Sequence, residues 1–180
     1  MVLGYLMKVL VTAFKPFGKC NNNYSEEVIK YINNVDKIIL DVCYDKCYLD
    51  LCEAHDLSDY DLIISLGEAR MRKTLTLETT AKNISSCSLP DNLGIVKSNE
   101  KIIDNDIEFI NTLADVNKVK DLVELSNDAG KFVCNNIYYH LLTNHPKKSL
   151  FIHIPECNND EDNYIRYANQ ISDIIKNILV

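Results

Sequence analysis

The chain has 180 residues, 47% of them hydrophobic and 25% charged, with a formal net charge of −7. That length and composition suit one soluble globular domain over residues 1–180 with a sizeable core, and exclude a disordered chain. The acidic balance argues against a nucleic-acid backbone or an anionic membrane as the main partner. The apolar opening, residues 1–12, is too short to span a membrane and reads as a first buried strand, clearest at 7–12 (MKVLVT). Residues 14–23, with Pro16, Gly18 and three asparagines, read as a loop. Ser25 is placed to cap a helix over 26–32, with Glu26 and Glu27 in its first turn. Residues 37–43 read as a strand, and 47–54 as a short helix with Leu49 and Cys52 on one side.

Residues 60–66 (YDLIISL) form a further apolar run, ending at Gly67. The threonine-rich stretch 74–84 looks extended, and Pro90, Asp91, Asn92 and Gly94 mark a turn. Residues 107–119 are expected to be helical, 119–126 to end in a strand, and 131–142 to form a helix. LFIHI at 150–154 reads as a strand closed by Pro155. Ile165, Ala168, Ile171, Ile175 and Leu179 lay an apolar stripe along a last helix. This alternation of strand and helix predicts an α/β fold with a largely parallel sheet covered on both faces. In such folds functional groups collect at the carboxyl ends of strands, here 14–23, 67–73, 127–131 and the end of the strand carrying His153.

The seven cysteines are odd in number, which fits free thiols in a reducing cytoplasm. Cys43, Cys47 and Cys52 lack the paired spacing of a metal site and read as buried or idle thiols, so no metal is expected. Cys134 stands apart from these. It follows a strand and a small-residue turn (NDAG), near the start of the next helix. A helix N-terminus carries partial positive charge and free N–H groups, which favour a thiolate and can hold an oxyanion. A thiolate needs a base, and the base needs a carboxylate or amide to fix its tautomer. His153 and Glu78 supply those residue types. Taken singly, each has an ordinary account: a buried cysteine, a core histidine, a surface carboxylate.

Several stretches carry a resemblance to the pyroglutamyl-peptidase I family, also called pyrrolidone carboxyl peptidase. VLVTAFKPFG at 9–18 is similar to the family's opening VLVTGFxPFG, and Asn23 and Ser25 stand at its NPS. TLETTAKN at 76–83 resembles TPERVAIN, LPDNLG at 89–94 resembles IPDNxG, and NDAGKFVCN at 127–135 resembles TAGTFVCN. FIHIP at 151–155 matches the histidine motif, and all of these run in the family's order. The resemblance implies a three-layer α/β/α sandwich, and a cysteine peptidase that removes N-terminal pyroglutamate from blocked peptides through a thioester. It assigns Cys134 as nucleophile, His153 as base and Glu78 as the third member. Phe14 and Phe17 match the aromatics around the pyroglutamyl ring, and Phe132 and Val133 match residues that line the same pocket. Asn23 and the residue at position 68 are placed in the substrate-binding set. No cofactor is implied, and homotetramers are usual in the family.

The chain also departs from the pattern. GEARMR at 67–72 replaces a loop close to GQAGGR, so Glu68 stands for a glutamine and Arg70 and Met71 for glycines. An ionised carboxylate only accepts hydrogen bonds, whereas an amide also donates. Glu68 and Arg70 either pair with each other or select a charged substrate. Ser88 replaces an arginine before the IPDN-like turn, Ala13 a glycine and Tyr24 a proline. The chain is shorter than its relatives, near 42–57, 99–117 and after Pro155. A related cysteine hydrolase or amidase with an altered acyl pocket, or a non-catalytic family member, fits the same residues.

Overall fold

Alternating apolar strands and amphipathic helices build one central sheet with a helical layer on each face. The computed structural model describes residues 7–180. The strand expected over 7–12 appears as β1 (Val9–Phe14), while the apolar residues 1–6 before it lie outside the described residues. There follow α1 (Tyr24–Ile29), β2 (Asp36–Leu40), α2 (Lys46–Ala54), β3 (Leu62–Glu68), β4 (Thr76–Glu78) and β5 (Thr80–Lys82). The second half holds β6 (Ser85–Cys87), β7 (Lys97–Glu100), β8 (Phe109–Asn111), β9 (Glu124–Ser126), α3 (Val133–Asn144), β10 (Ser149–Ile154) and α4 (Glu161–Leu179).

The six-stranded sheet has the order β2-β1-β3-β10-β4-β9. Its neighbours are parallel except β10 and β4, which run antiparallel. Side antiparallel pairs, β5 with β8 and β6 with β7, flank it. β1 and β10 are buried along their whole length, as strands covered on both faces require. Strand parity then sorts the core. Val9, Val11, Leu62, Ile64, Leu150 and Ile152 face α1 and α4, whose Val28, Ile29, Ala168 and Ile171 cover them. Leu10, Phe14, Ile63 and Phe151 face the other way, against Leu51 of α2 and Ile137 and Tyr138 of α3. The fold is thus the three-layer α/β/α sandwich with a mostly parallel sheet.

Local details differ from the expectations in instructive ways. α1 is capped by Asn23, whose side chain accepts the Ser25 N–H at 3.0 Å, so the cap lies two residues before the expected one. Ser25 is instead buried, and its hydroxyl accepts the Phe14 N–H at 3.0 Å. In α2 the buried pair is Cys47 and Leu51, while Leu49 and Cys52 face outward. On α4 Ile165 is exposed, and Tyr164, Tyr167, Ala168, Ile171, Ile174 and Ile175 make the core face.

The helix expected over 107–119 does not form. Its first part is β8, paired with β5, and its end is a single 3-10 turn at Val116–Lys118. Polar side chains bind the backbone there in non-helical ways: the Thr112 hydroxyl donates to Ser149 O at 2.9 Å, and Asn105 Oδ1 accepts the Ile107 N–H at 2.9 Å. Tertiary pairing overrides the apolar spacing in that stretch.

Candidate active site

Strand parity also aims the polar groups. On β10, His153 shares a face with Phe151 and points toward α3. On β4, Glu78 shares that face with Thr76, and in the antiparallel register Glu78 stands opposite Phe151 and Thr76 opposite His153. This places Glu78 one step along from the histidine, and Glu78 Oε1 meets His153 Nδ1 at 2.8 Å. Glu78 is fully buried and His153 nearly so.

The carboxylate does not stand alone. Arg72 Nη2 donates to Glu78 Oε1 at 3.0 Å, to Ser126 Oγ at 3.1 Å and to the Asp128 carbonyl at 3.0 Å. The Asp128 N–H donates to Glu78 Oε2 at 3.2 Å. A carboxylate held among these donors acts as an acceptor, so the imidazole donates from Nδ1 and presents Nε2 as the free basic nitrogen. Sequence reasoning missed Arg72, because no periodicity marks a loop residue whose reach crosses between strands.

Cys134 is the second residue of α3, which begins after Phe132 as N-cap. Gly130, at φ +80°, turns the chain into this helix in a conformation that favours glycine. The sulfur lies against β3: a Cβ added at Gly67 would fall 2.8 Å from Cys134 Sγ and 2.7 Å from the Phe151 ring. Gly67 is itself the register partner of His153, so the glycine lets the thiol settle beside the histidine strand. The first N–H groups of α3 have no helical acceptors and converge at this end.

The thiol itself departs from expectation. Burial pushes Cys134 up to about 12, and the nearby charge of Glu78 adds to the rise; its own backbone N–H opposes it, and Glu68 contributes a little more in the raising direction. The helix N-terminus was expected to favour a thiolate, but desolvation and the acidic neighbours outweigh it.

A cavity of about 150 Å³ opens in front of these groups. Phe14, Phe17, Asn23, Glu68, Phe132, Val133, Cys134 and His153 line it, with the 129–131 turn, part of the expected 127–131 stretch, and Val42, which the sequence had not singled out. Its walls are aromatic. The Phe17 and Phe132 rings lie 5.9 Å apart, and Tyr44 meets Phe132 edge-on at 5.4 Å. Asn23 is engaged by the loop it caps: Oδ1 accepts the Ser25 N–H and hydroxyl, and Nδ2 donates to Lys15 O at 3.1 Å. Glu68 and Arg70 do pair, with Arg70 Nε donating to Glu68 Oε1 at 2.8 Å, and the α1 N–H of Tyr24 donates to Glu68 Oε2 at 2.9 Å. The Arg70 guanidinium also sits over the Tyr24 ring, 4.5 Å from its centroid.

The remaining motif residues build the scaffold. Asp91 accepts the N–H groups of Tyr44, Leu93 and Ile95, and Asn92 Nδ2 donates to Pro16 O, tying the 89–94 turn to the loop after β1. Asn135, next to the nucleophile candidate, bonds both the N–H and the C=O of Lys82 and so anchors α3 on β5. Ser88 is exposed. All seven cysteines are free thiols, with Cys43 and Cys47 buried and Cys52 exposed. Among the described residues no group of three or more His, Cys, Asp or Glu side chains is placed to hold a metal ion, and no helix is long and apolar enough to cross a membrane.

The chain is similar to known proteins over most of its length. The family model described as Pyroglutamyl peptidase matches residues 7–164. The pyrrolidone-carboxylate peptidase of Brachyspira hyodysenteriae is 35% identical over 168 residues, covering 83% of each chain. That of Fusobacterium nucleatum is 33% identical, covering 83% of this chain and 78% of its own. The crystal structure of pyrrolidone carboxyl peptidase from Fervidobacterium islandicum AW-1 superposes with a TM-score of 0.85 at 27% identity, covering 96% of this chain and 98% of that one. The pyroglutamyl peptidase I of Bacillus amyloliquefaciens gives 0.81 at 27% identity, covering 93% and 95%.

Proposed function

From the premise that this chain belongs to the pyroglutamyl peptidase family of cysteine peptidases, we propose that Cys134, His153 and Glu78 remove pyroglutamate from the N-terminus of blocked peptides. The observation that carries the assignment is the 2.8 Å contact of Glu78 with His153 Nδ1, at the wall of a cavity that Cys134 also lines.

The chemistry follows from the groups. A thiol pushed up to about 12 is not a standing thiolate, so His153 Nε2 takes its proton as sulfur attacks the scissile carbonyl. The carbonyl oxygen becomes an oxyanion facing the free N–H groups at the start of α3. The imidazolium, steadied by Glu78, passes its proton to the leaving amine as the C–N bond breaks, and a thioester remains on Cys134. Water, deprotonated by the same histidine, then hydrolyses the thioester and returns the thiol. The small aromatic cavity suits a compact, uncharged lactam ring between Phe14, Phe17 and Phe132, and leaves little room for an extended side chain.

The Glu68–Arg70 pair favours one second reading, a hydrolase of the same mechanism with a changed acyl preference. Release of aminomethylcoumarin from its pyroglutamyl amide separates the two. Wild type is expected to cleave it and Cys134→Ser to lose essentially all turnover, by about 10³-fold or more, with an unchanged circular dichroism spectrum. Persistent activity in Cys134→Ser would remove the nucleophile assignment. An inactive wild type would favour the changed pocket.

A reducing cytoplasm accords with the seven free thiols. Self-association into a homo-oligomer, by family likeness a tetramer, accords with the exposed Leu89, Leu93, Ile95 and Val96 on one loop. Sedimentation at monomer mass would rule the assembly out.

A further inference from the structure

A second cavity, of about 790 Å³, shares the 127–131 turn with the acyl cavity. It is lined by Lys82, Lys101, Ile107, Phe109, Asn111 and Lys131, among others. Lys131, three residues before Cys134 in the chain, lines both cavities, so the two adjoin at that side chain. We propose that this groove receives the leaving chain of a peptide substrate, seating a large apolar side chain against Ile107 and Phe109; the proposal rests on the peptidase reading above.

The order of the sheet supports that direction. Across β2-β1-β3-β10-β4-β9, the acyl cavity draws on the loops after β1 and β2 and on the end of β3, and is closed by the 129–133 segment that leads into α3. His153 sits on β10, Glu78 on β4, and β5 continues directly from β4 into the groove. The acyl group therefore lies on the β1 side of the nucleophile and the histidine on the β4 side. The amine that leaves must meet the imidazole that protonates it, so the peptide beyond the scissile bond heads toward β4 and β5. A chain continuing that way enters the groove.

The groove's chemistry fits a peptide. Its size lies within the ~300–1,000 Å³ usual for ligand clefts. Ile107 and Phe109 are 51% and 59% exposed, an apolar pair left largely open by the described residues. Lys82 pairs with Asp128 at 3.0 Å and Lys101 with Asp106 at 3.7 Å. Lys131 is exposed and makes no ion pair among the described residues, leaving it free for a substrate carbonyl or a terminal carboxylate.

The test compares substrates that share the acyl group and differ beyond the scissile bond. Wild type is expected to cleave pGlu-Ala-Leu-Phe about tenfold faster in kcat/KM than pGlu-Ala-Gly-Gly. Phe109→Ala combined with Ile107→Ser is expected to abolish that preference and leave hydrolysis of pyroglutamyl-aminomethylcoumarin unchanged. Equal rates on the two peptides in wild type, or an equal loss on all three substrates in the variant, would overturn the proposal. A changed oligomeric state on light scattering with the preference intact would assign the face to a subunit contact and overturn it as well. Failure of wild type to cleave the coumarin substrate would instead sink the pyroglutamyl reading in favour of the changed acyl pocket, and this inference with it.

Discussion

The catalytic corner and the acyl wall share one cavity but are built differently. His153 and Glu78 sit on adjacent strands, placed by β register, and Cys134 sits in the first turn of a helix pressed onto Gly67. Each of these positions is over-determined by backbone geometry, and Arg72, Ser126 and Asp128 add further bonds around the carboxylate. The wall is assembled from strand ends and the loops that follow them: Phe14 closes β1 and Phe17 follows in its turn, Asn23 is a cap, and Glu68 closes β3 and is held by Arg70. The difference is one of tolerance. A register or a close helix–strand approach admits one arrangement, whereas a loop wall can exchange an amide for an ion pair and keep its shape. On the proposed mechanism, chemistry falls to the rigid part and selectivity to the adjustable one.

Breaking the rigid part should cost most. Glu78→Gln can donate to the ring where Glu78 only accepts, which disturbs the histidine tautomer, and it leaves Arg72 short of a charge partner. A fall in kcat of about 10²- to 10⁴-fold is expected, with KM little changed. Single-turnover kinetics would check that the loss lies in acylation, and a loss below tenfold would end the orienting role.

Gly67→Ala attacks the same corner sterically. Its methyl would meet the sulfur and the Phe151 ring at under 3 Å, so the thiol must shift. Displacements of about 1 Å cost roughly 10²-fold in rate, and overpacking is expected to lower stability by about 1–3 kcal/mol. Denaturant unfolding measured beside kcat reads both effects.

Glu68→Gln probes the wall. It breaks the ion pair with Arg70 and restores the amide type of the family pattern. KM for the coumarin substrate is expected to move about three- to tenfold with kcat within about twofold. A kcat loss as large as that of Glu78→Gln would erase the distinction between corner and wall.

The smallest effect concerns pH. The folded Cys134 thiol, at about 12, lies above the free-thiol value of about 8.5. The unfolded chain therefore ionises first as pH rises, and the stability that the neutral, half-buried thiol contributes is complete below about 8.5 and declines from there toward 12. Buried Cys157, also pushed up to about 12, acts in the same direction. Cys134→Ser should flatten, without removing, the alkaline slope of unfolding free energy. Cys134 should also alkylate with iodoacetamide at neutral pH more slowly than exposed Cys20 or Cys52.

Much was legible in the residues alone. The apolar runs that became β1, β3 and β10 and the stripes of α3 and α4 declare themselves, because central strands and core-facing helices must be apolar at fixed periods. Motif order named the family; of the site residues proposed with it, all but Glu78 line one cavity, and Glu78 is buried behind His153. Other features have no local signal. Nothing near 107–119 announces β8, since its partner strand is far away in sequence and pairing alone makes it extended. The cap at Asn23 and the exposure of Leu49 and Ile165 depend on which side of each helix the sheet presents. Arg72 on Glu78 and the groove beyond Lys131 arise from loops meeting across the fold. The charge state of the thiol was decided by tertiary structure too. Helix position can be read from sequence and argues for a thiolate, but desolvation depends on everything packed around the sulfur, and here it prevails.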